Sequence, residues 1–303
     1  MDQPEEAFTQ STMMDRAGSR FSPARRALAA LCILTGLLVS LVAWGVLNAR
    51  AQPLIRLQAL RLADWPVGDR PVRVALLADI HLGNVVMDEA RLKAVVAQVN
   101  AARPDLVMIA GDFLVGHDAV GAGDRAAKLT GPLLGLEAPL GTVAVLGNHD
   151  NWTSANAVRS ALMAARITVL ENEAVQRGPL AIAGIGDAFS GHHRADQALV
   201  AARRLRGSLV VLTHSPDLAP KLPADVPLVL AGHTHCGQIV LPWIGALPAR
   251  SPLQGWKRLY NPRYRCGLVR DGRRVVIVTA GVGSGTLPLR FGAPPDFWLV
   301  TLD

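Results

Sequence analysis

The chain has 303 residues, half of them hydrophobic, and a net charge of +7. That composition excludes a disordered chain, which buries too little apolar surface to fold, and leaves room for one large domain with an appendage or for two small domains. The three cysteines, Cys32, Cys236 and Cys266, form no Cys-x-x-Cys pair, which excludes a zinc ribbon and a thioredoxin-like motif.

Residues 1–26 are polar, carry Arg16, Arg20, Arg25 and Arg26, and read as a disordered tail. Residues 27–49 contain no charge. A helix of that length crosses a bilayer core about 30 Å thick, so the segment reads as a retained single-pass anchor. Two other readings stand beside it. Ala49-Arg50-Ala51 has the form of a signal-peptide cleavage site, although the apolar stretch exceeds the usual signal core. Arg25-Arg26 ahead of the stretch resembles a twin-arginine export signal. Basic residues near the ends of a span set its orientation. Four arginines before the segment against Arg50, Arg56 and Arg61 after it favour, by a narrow margin, the tail inside and the remainder outside.

Residues 50–70 read as a linker with some amphipathic character, and residues 71–303 as the globular domain. Apolar runs there predict buried strands at Val72–Ala78, Leu106–Ala110, Thr142–Leu146, Leu180–Ile185, Leu209–Thr213, Pro227–Ala231, Val275–Ala280 and Trp298–Leu302. Helical periodicity marks 87–100, where Leu92, Val95, Val96 and Val99 share a face, and also 155–165 and 194–205. Strands alternating with helices indicate an α/β domain.

Five short islands follow five of these strands. They are Asp79-Ile80-His81, Gly111-Asp112, Gly147-Asn148-His149-Asp150, His214 and Gly232-His233-Thr234-His235, and they hold five of the eight histidines. Strand ends along one edge of a sheet are where α/β folds place ligand sites. Carboxylate oxygens, imidazoles and one amide oxygen are donors suited to divalent Mn, Fe or Zn. Asp112 has two oxygens and can bridge two cations. A pair of cations about 3.5–4 Å apart can clamp the attacking and leaving oxygens of an in-line displacement. Each island alone is a weak signal: a lone histidine at a strand end is more often structural, and Asn-His-Asp suits an ordinary turn. The ordered set is far more specific.

This set resembles the calcineurin-like metallophosphoesterase superfamily over roughly residues 72–303. The runs Gly232–Ile239 and Pro288–Pro295 are similar to its membrane-associated bacterial phosphodiesterase branch, with Cys236 standing where that branch usually has glycine. The resemblance implies a two-sheet β-sandwich flanked by helices and two divalent metal ions. It implies that Asp79, His81 and His235 hold the first metal and that Asn148, His214 and His233 hold the second. Asp112 would bridge both, and a hydroxide between the metals would attack phosphorus. His149 would stabilise phosphoryl oxygens and protonate the leaving group, with Asp150 orienting it or serving as a plain turn residue. Asn148 and Arg290 would contact substrate phosphate. The expected substrate is a phosphodiester or a lipid-linked phosphate, at the bacterial cytoplasmic membrane. UDP-2,3-diacylglucosamine, cleaved at its pyrophosphate, is the sharpest alternative; a metal-binding protein without catalysis is another.

The remaining features carry less. Cys236 and Cys266 are expected as free thiols, with a disulfide as the alternative in an oxidising compartment. His117, His192 and His193 are expected in surface loops. Residues 250–274 are rich in arginine with Trp256, Tyr260 and Tyr264 interleaved; a solvated hairpin is the expectation, an anionic membrane contact the alternative. Nucleic acid, which also favours such a pattern, is disfavoured by the anchor. No protein partner is inferred.

Overall fold

Apolar runs that lack alternation belong to strands buried on both faces, and two sheets of such strands form the centre of the protein. The computed structural model describes residues 22–247, 250–251 and 255–303. The predicted tail therefore lies outside the described residues over 1–21. The chain divides into a unit ending at Val42 and a unit spanning Ala43–Asp303. Helix α1 (Pro23–Ala49) begins earlier than the uncharged segment, taking in Arg25 and Arg26. Its apolar length is sufficient to cross a membrane, and its last turns, from Ala43, belong to the second unit.

In chain order the elements continue as β1 (Leu54–Leu60), β2 (Val72–Leu77), α2 (Glu89–Ala101), β3 (Leu106–Ala110), α3 (Ala122–Leu134), β4 (Thr142–Val145), α4 (Asn148–Thr153), α5 (Ala155–Ala164) and β5 (Thr168–Val169). Then come β6 (Glu173–Arg177), β7 (Leu180–Ile185), α6 (Ala195–Ala202), β8 (Ser208–Thr213) and β9 (Leu228–Ala231). Two short hairpins follow, β10 (Val240–Leu241) with β11 (Gly245–Ala246), and β12 (Arg250–Ser251) with β13 (Lys257–Arg258). The chain closes with β14 (Gly267–Asp271), β15 (Arg274–Val278) and β16 (Asp296–Leu302).

The first sheet has the order β1-β16-β2-β3-β4-β5, the second β14-β15-β9-β8-β7-β6. Strands β2 to β5 run parallel in the first, as do β15, β9, β8 and β7 in the second. Alternate residues of the two sheets meet in one core: Val74, Leu76, Met108 and Val145 from the first, Ile182, Val210, Leu212 and Leu230 from the second. The opposite face of the first sheet packs under α2, α3 and α5. The opposite face of the second packs around α6. Two facing sheets with helices on their outer faces make the two-sheet sandwich that the resemblance implies.

The predicted face of α2 is buried as read, through Leu92, Val95, Val96 and Val99, and Asp88 caps the helix by accepting from the Arg91 N–H. The linker reading of residues 50–70 needs correction. Leu54–Leu60 is an edge strand pairing in parallel with β16. Most of its side chains are exposed, so it is held by main-chain bonds and shows no alternation.

Candidate metal centre

The donors gather at the carboxyl ends of β2, β3, β4, β8 and β9. Asp79 Oδ1 lies 3.6 Å from His235 Nε2 and 4.0 Å from His81 Nε2, and the two imidazole nitrogens are 3.1 Å apart. Beside them, His214 Nε2 lies 3.1 Å from Asn148 Oδ1 and 3.2 Å from His233 Nδ1. Asp112 Oδ2 belongs to both groups, at 3.5 Å from His81 Nε2 and 3.2 Å from His214 Nε2. Donors at right angles on a cation with bonds of about 2.1 Å lie about 3 Å apart. The His81–His235, His214–Asn148, His214–His233 and His214–Asp112 pairs have that spacing, and the Asp79 pairs are wider.

Hydrogen bonds fix which atoms face inward. His214 Nδ1 donates to the Ala110 carbonyl (2.6 Å) and His233 Nε2 to the Leu259 carbonyl (2.8 Å), so the opposite nitrogen of each ring is the one that faces the other donors. Asp112 Oδ1 accepts the His149 N–H at 2.9 Å, leaving Oδ2 for the shared position. Asp79, His81, Asp112, His233 and His235 all have positive φ, between 49° and 70°. Such backbone costs about 1–3 kcal/mol per residue and concentrates at functional sites. Gly232 lets this geometry close: a Cβ there would meet the Asp79 carboxylate at 2.7 Å.

The electrostatics fit cations. Burial pushes the Asp79 carboxyl up to about 8, as expected of a carboxylate buried without enough positive charge beside it. Burial lowers His81 to about 3 and holds His235 and His233 below the usual imidazole range. Those rings are neutral and able to ligate. Burial also opposes charge on His214 and Asp112, but their mutual attraction prevails and drives His214 up and Asp112 down.

Two expectations change. Asp150 does not orient His149. Its buried carboxylate accepts the N–H groups of Asp112 (2.9 Å), Phe113 (2.8 Å), Leu114 (3.2 Å) and Gly147 (2.9 Å), and so ties two donor loops together. The Gly116 carbonyl, 2.8 Å from His149 Nδ1, orients that ring instead. Arg290 is not available to substrate: it is fully buried, and its guanidinium donates to the carbonyls of Ala280, Gly283 and Ala293. It packs beside His235 Nδ1 at 3.2 Å and acts as a brace.

The free-thiol expectation is also overturned, since Cys236 and Cys266 form a disulfide. The chain brings them together because Thr234 Oγ1 donates to the Arg265 carbonyl at 2.6 Å, seating residues 259–266 against the donor loop.

A cavity of about 430 Å³ opens over the donors, lined on its apolar side by Trp152, Phe189, Ile239, Leu259 and Leu287. His117 was not foreseen there. It is exposed, but its ring packs at a tilt against His149 and Trp152, with ring centroids 4.7 and 5.2 Å apart. His192 instead bonds the Ser190 hydroxyl and does not line the cavity. The arginine-rich stretch is only partly solvated: Arg274 is buried against the carbonyls of Val226 and Leu222, and Tyr260 lines the cavity.

The model of the calcineurin-like phosphoesterase family matches residues 72–237. The chain is 32% identical over 247 residues to the metallophosphoesterase YkuE of Bacillus subtilis, covering 78% of this chain and 81% of that one. It is 28% identical over 251 residues to the phosphodiesterase YaeI of Escherichia coli, covering 80% and 86%. A transmembrane protein with metallophosphoesterase domain from Danio rerio is 27% identical over 280 residues, covering 86% of this chain and 60% of its own length.

Proposed function

The chain belongs to the calcineurin-like phosphoesterase family of metal-dependent phosphoric ester hydrolases, and on that premise we propose that it cleaves phosphodiester or pyrophosphate bonds at a cation pair while held by a single membrane anchor. The observation that carries this reading is the oxygen shared by two donor groups, Asp112 Oδ2. Asp79, His81 and His235 would hold one cation, Asn148, His214 and His233 the other, and Asp112 both. Bound there, the pair supplies Lewis acidity to phosphoryl oxygens and lowers the pKa of water. Mn, Fe and Zn all suit this mixed oxygen and nitrogen set.

The chain's own groups do the rest. His149 has Nδ1 committed to Gly116, so Nε2 is the atom that can give a proton to the leaving oxygen. Asn148 uses Oδ1 as a donor and keeps its amide nitrogen for a phosphoryl oxygen. The apolar cavity wall suits an ester carrying a hydrophobic group, which favours a lipid-linked phosphate.

The apolar length of α1 and the Danio rerio relative support the anchor. A disulfide persists mainly in oxidising compartments. Its presence beside the donors supports an extracytoplasmic catalytic unit, in line with the arginine count. The same disulfide weighs against UDP-2,3-diacylglucosamine as substrate, because that reading needs the cytoplasm. A binding protein without catalysis is disfavoured by the presence of His149 at the cavity.

The test uses the full-length chain in detergent, stripped of metal and reloaded with Mn²⁺. Hydrolysis of bis(p-nitrophenyl) phosphate is expected. Asp112→Ala should abolish it and lower bound metal, whereas His149→Ala should slow turnover about 10²–10⁴-fold with metal retained. Full activity in Asp112→Ala overturns the cation-pair reading. Efficient cleavage of UDP-2,3-diacylglucosamine would restore the alternative.

A further inference from the structure

Two short hairpins stand beside the cavity mouth. The first, β10–β11, turns through Pro242, Trp243 and Ile244. The Trp243 side chain is fully exposed and Ile244 is 71% exposed. The second, β12–β13, presents Trp256, 64% exposed. Large apolar side chains projecting singly are ordinary. Two tryptophans and an isoleucine exposed on two hairpins that line one cavity are apolar surface of the kind that marks an interaction site.

Between the hairpins lies a second cavity of about 470 Å³, lined by Ala246, Leu247, Arg250, Arg258, Tyr260 and Arg265, among others. Three arginines and no carboxylate line it, and the Arg250 guanidinium also donates to the Trp256 carbonyl at 3.1 Å. Among the described residues none of the three arginines forms an ion pair within 4.0 Å. Arginine forks of this kind match phosphate oxygens. Arg250, Leu247 and Tyr260 also line the catalytic cavity, so the two spaces adjoin.

The chain connects this surface to the end of the anchor helix within the unit Ala43–Asp303. Trp44 packs edge-on against Phe291 at 5.5 Å. The Arg290 N–H donates to the Gly45 carbonyl. Phe291 in turn bonds the Gln238 carbonyl and accepts from the Val240 N–H, at the entry to the first hairpin. Three further residues, about 10 Å of extended chain, reach Trp243.

We propose that Trp243, Ile244 and Trp256 insert into an anionic phospholipid bilayer surface while Arg250, Arg258 and Arg265 take a lipid phosphate, so that the catalytic cavity opens onto the membrane from which its substrate comes. This rests on the anchored phosphoesterase reading above. Aromatic side chains favour the bilayer interface, and each basic residue near an anionic surface strengthens binding about fivefold.

The test uses the full-length chain in liposomes of phosphatidylcholine, with or without 30% phosphatidylglycerol. Cys32→Ser leaves one engineered thiol for a fluorophore, Trp243→Cys or, as control, the fully exposed loop position Val67→Cys. Lipids spin-labelled near the headgroup should quench the label at 243 and not at 67, more strongly with phosphatidylglycerol. Arg258→Gln should reduce the phosphatidylglycerol effect about fivefold. Equal quenching at both positions, or at neither, overturns the proposal. So does an Arg258-dependent response to millimolar inorganic phosphate with no difference between the two bilayers, which would make the cavity a site for soluble phosphate. Trp243→Ser with Ile244→Ser should leave hydrolysis of bis(p-nitrophenyl) phosphate unchanged, because neither side chain lines the catalytic cavity. Absent hydrolysis with quenching at 243 would sink the enzyme reading alone; hydrolysis without quenching would sink the docking alone.

Discussion

The two sheets deliver donors to the same point but secure them differently. On the first, Asp112 and the Asn148 loop are tied from within, by the Asp150 carboxylate that gathers four N–H groups of those same loops. On the second, His233 and His235 are secured by distant chain: the Leu259 carbonyl, the Arg265 carbonyl through Thr234, Cys266 through the disulfide, and Arg290. One half of the centre is thus intrinsic to its strand ends. The other half leans on residues 259–290, besides the Asp79 carboxylate that accepts the His233 N–H.

That contrast breaks most sharply at Asp150. Asp150→Ala leaves four buried donors without an acceptor, and each costs about 1–3 kcal/mol. A loss of at least about 4 kcal/mol is expected in urea unfolding; a loss under about 1 kcal/mol would show that the first half is held by something else. On the other side, Cys236→Ser with Cys266→Ser opens a closure of 30 residues, worth about 3–4 kcal/mol. It should also weaken Mn²⁺ binding about 10–100-fold by calorimetry, as loss of support behind metal ligands does. Unchanged affinity would mean that the histidine half stands by itself.

A pH series sharpens the difference further. Folded Asp79 titrates near 8 against 3.8 for a free carboxyl. Between those values the metal-free folded state holds a proton that the unfolded state has released, so this group's contribution falls as pH rises from about 4 to about 8. Asp79→Asn should therefore stabilise the metal-free chain by a few kcal/mol at pH 8 and hardly at all near pH 4, while lowering metal affinity. An effect independent of pH would remove burial as the cause. The smallest change is expected of Thr234→Val, which deletes the bond to the Arg265 carbonyl and the one accepted from the Cys236 N–H, at about 1 kcal/mol each, and should weaken cation binding only slightly.

The sequence made the strands and the donor set legible for a physical reason. Strands such as Leu106–Ala110 and Ser208–Thr213 are buried on both faces, so their runs are unbroken and each ends where its polar island begins. Other elements left no such mark. Edge strand β1 is held through its main chain. Helix α3 contains Gly123, Gly131 and Pro132, residues that break a helical pattern. The roles of Asp150 and Arg290 depend on backbone groups brought in from elsewhere in the fold, which local spacing does not encode. His117 gained its place through tilted ring contacts with His149 and Trp152, which no periodicity records. Cys236 and Cys266 were visible, but their pairing follows from how residues 259–266 fold back.

The contact of Trp44 with Phe291 bears on where the polypeptide can be cut. A fragment beginning at Arg50, chosen to leave out every uncharged residue before it, would remove the Gly45 carbonyl from the Arg290 N–H and uncover the Phe291 ring. Both lie on the segment that carries the guanidinium brace behind His235. A fragment beginning at Ala43 keeps those partners, and the seven residues between the two cut points belong, by packing, to the catalytic unit.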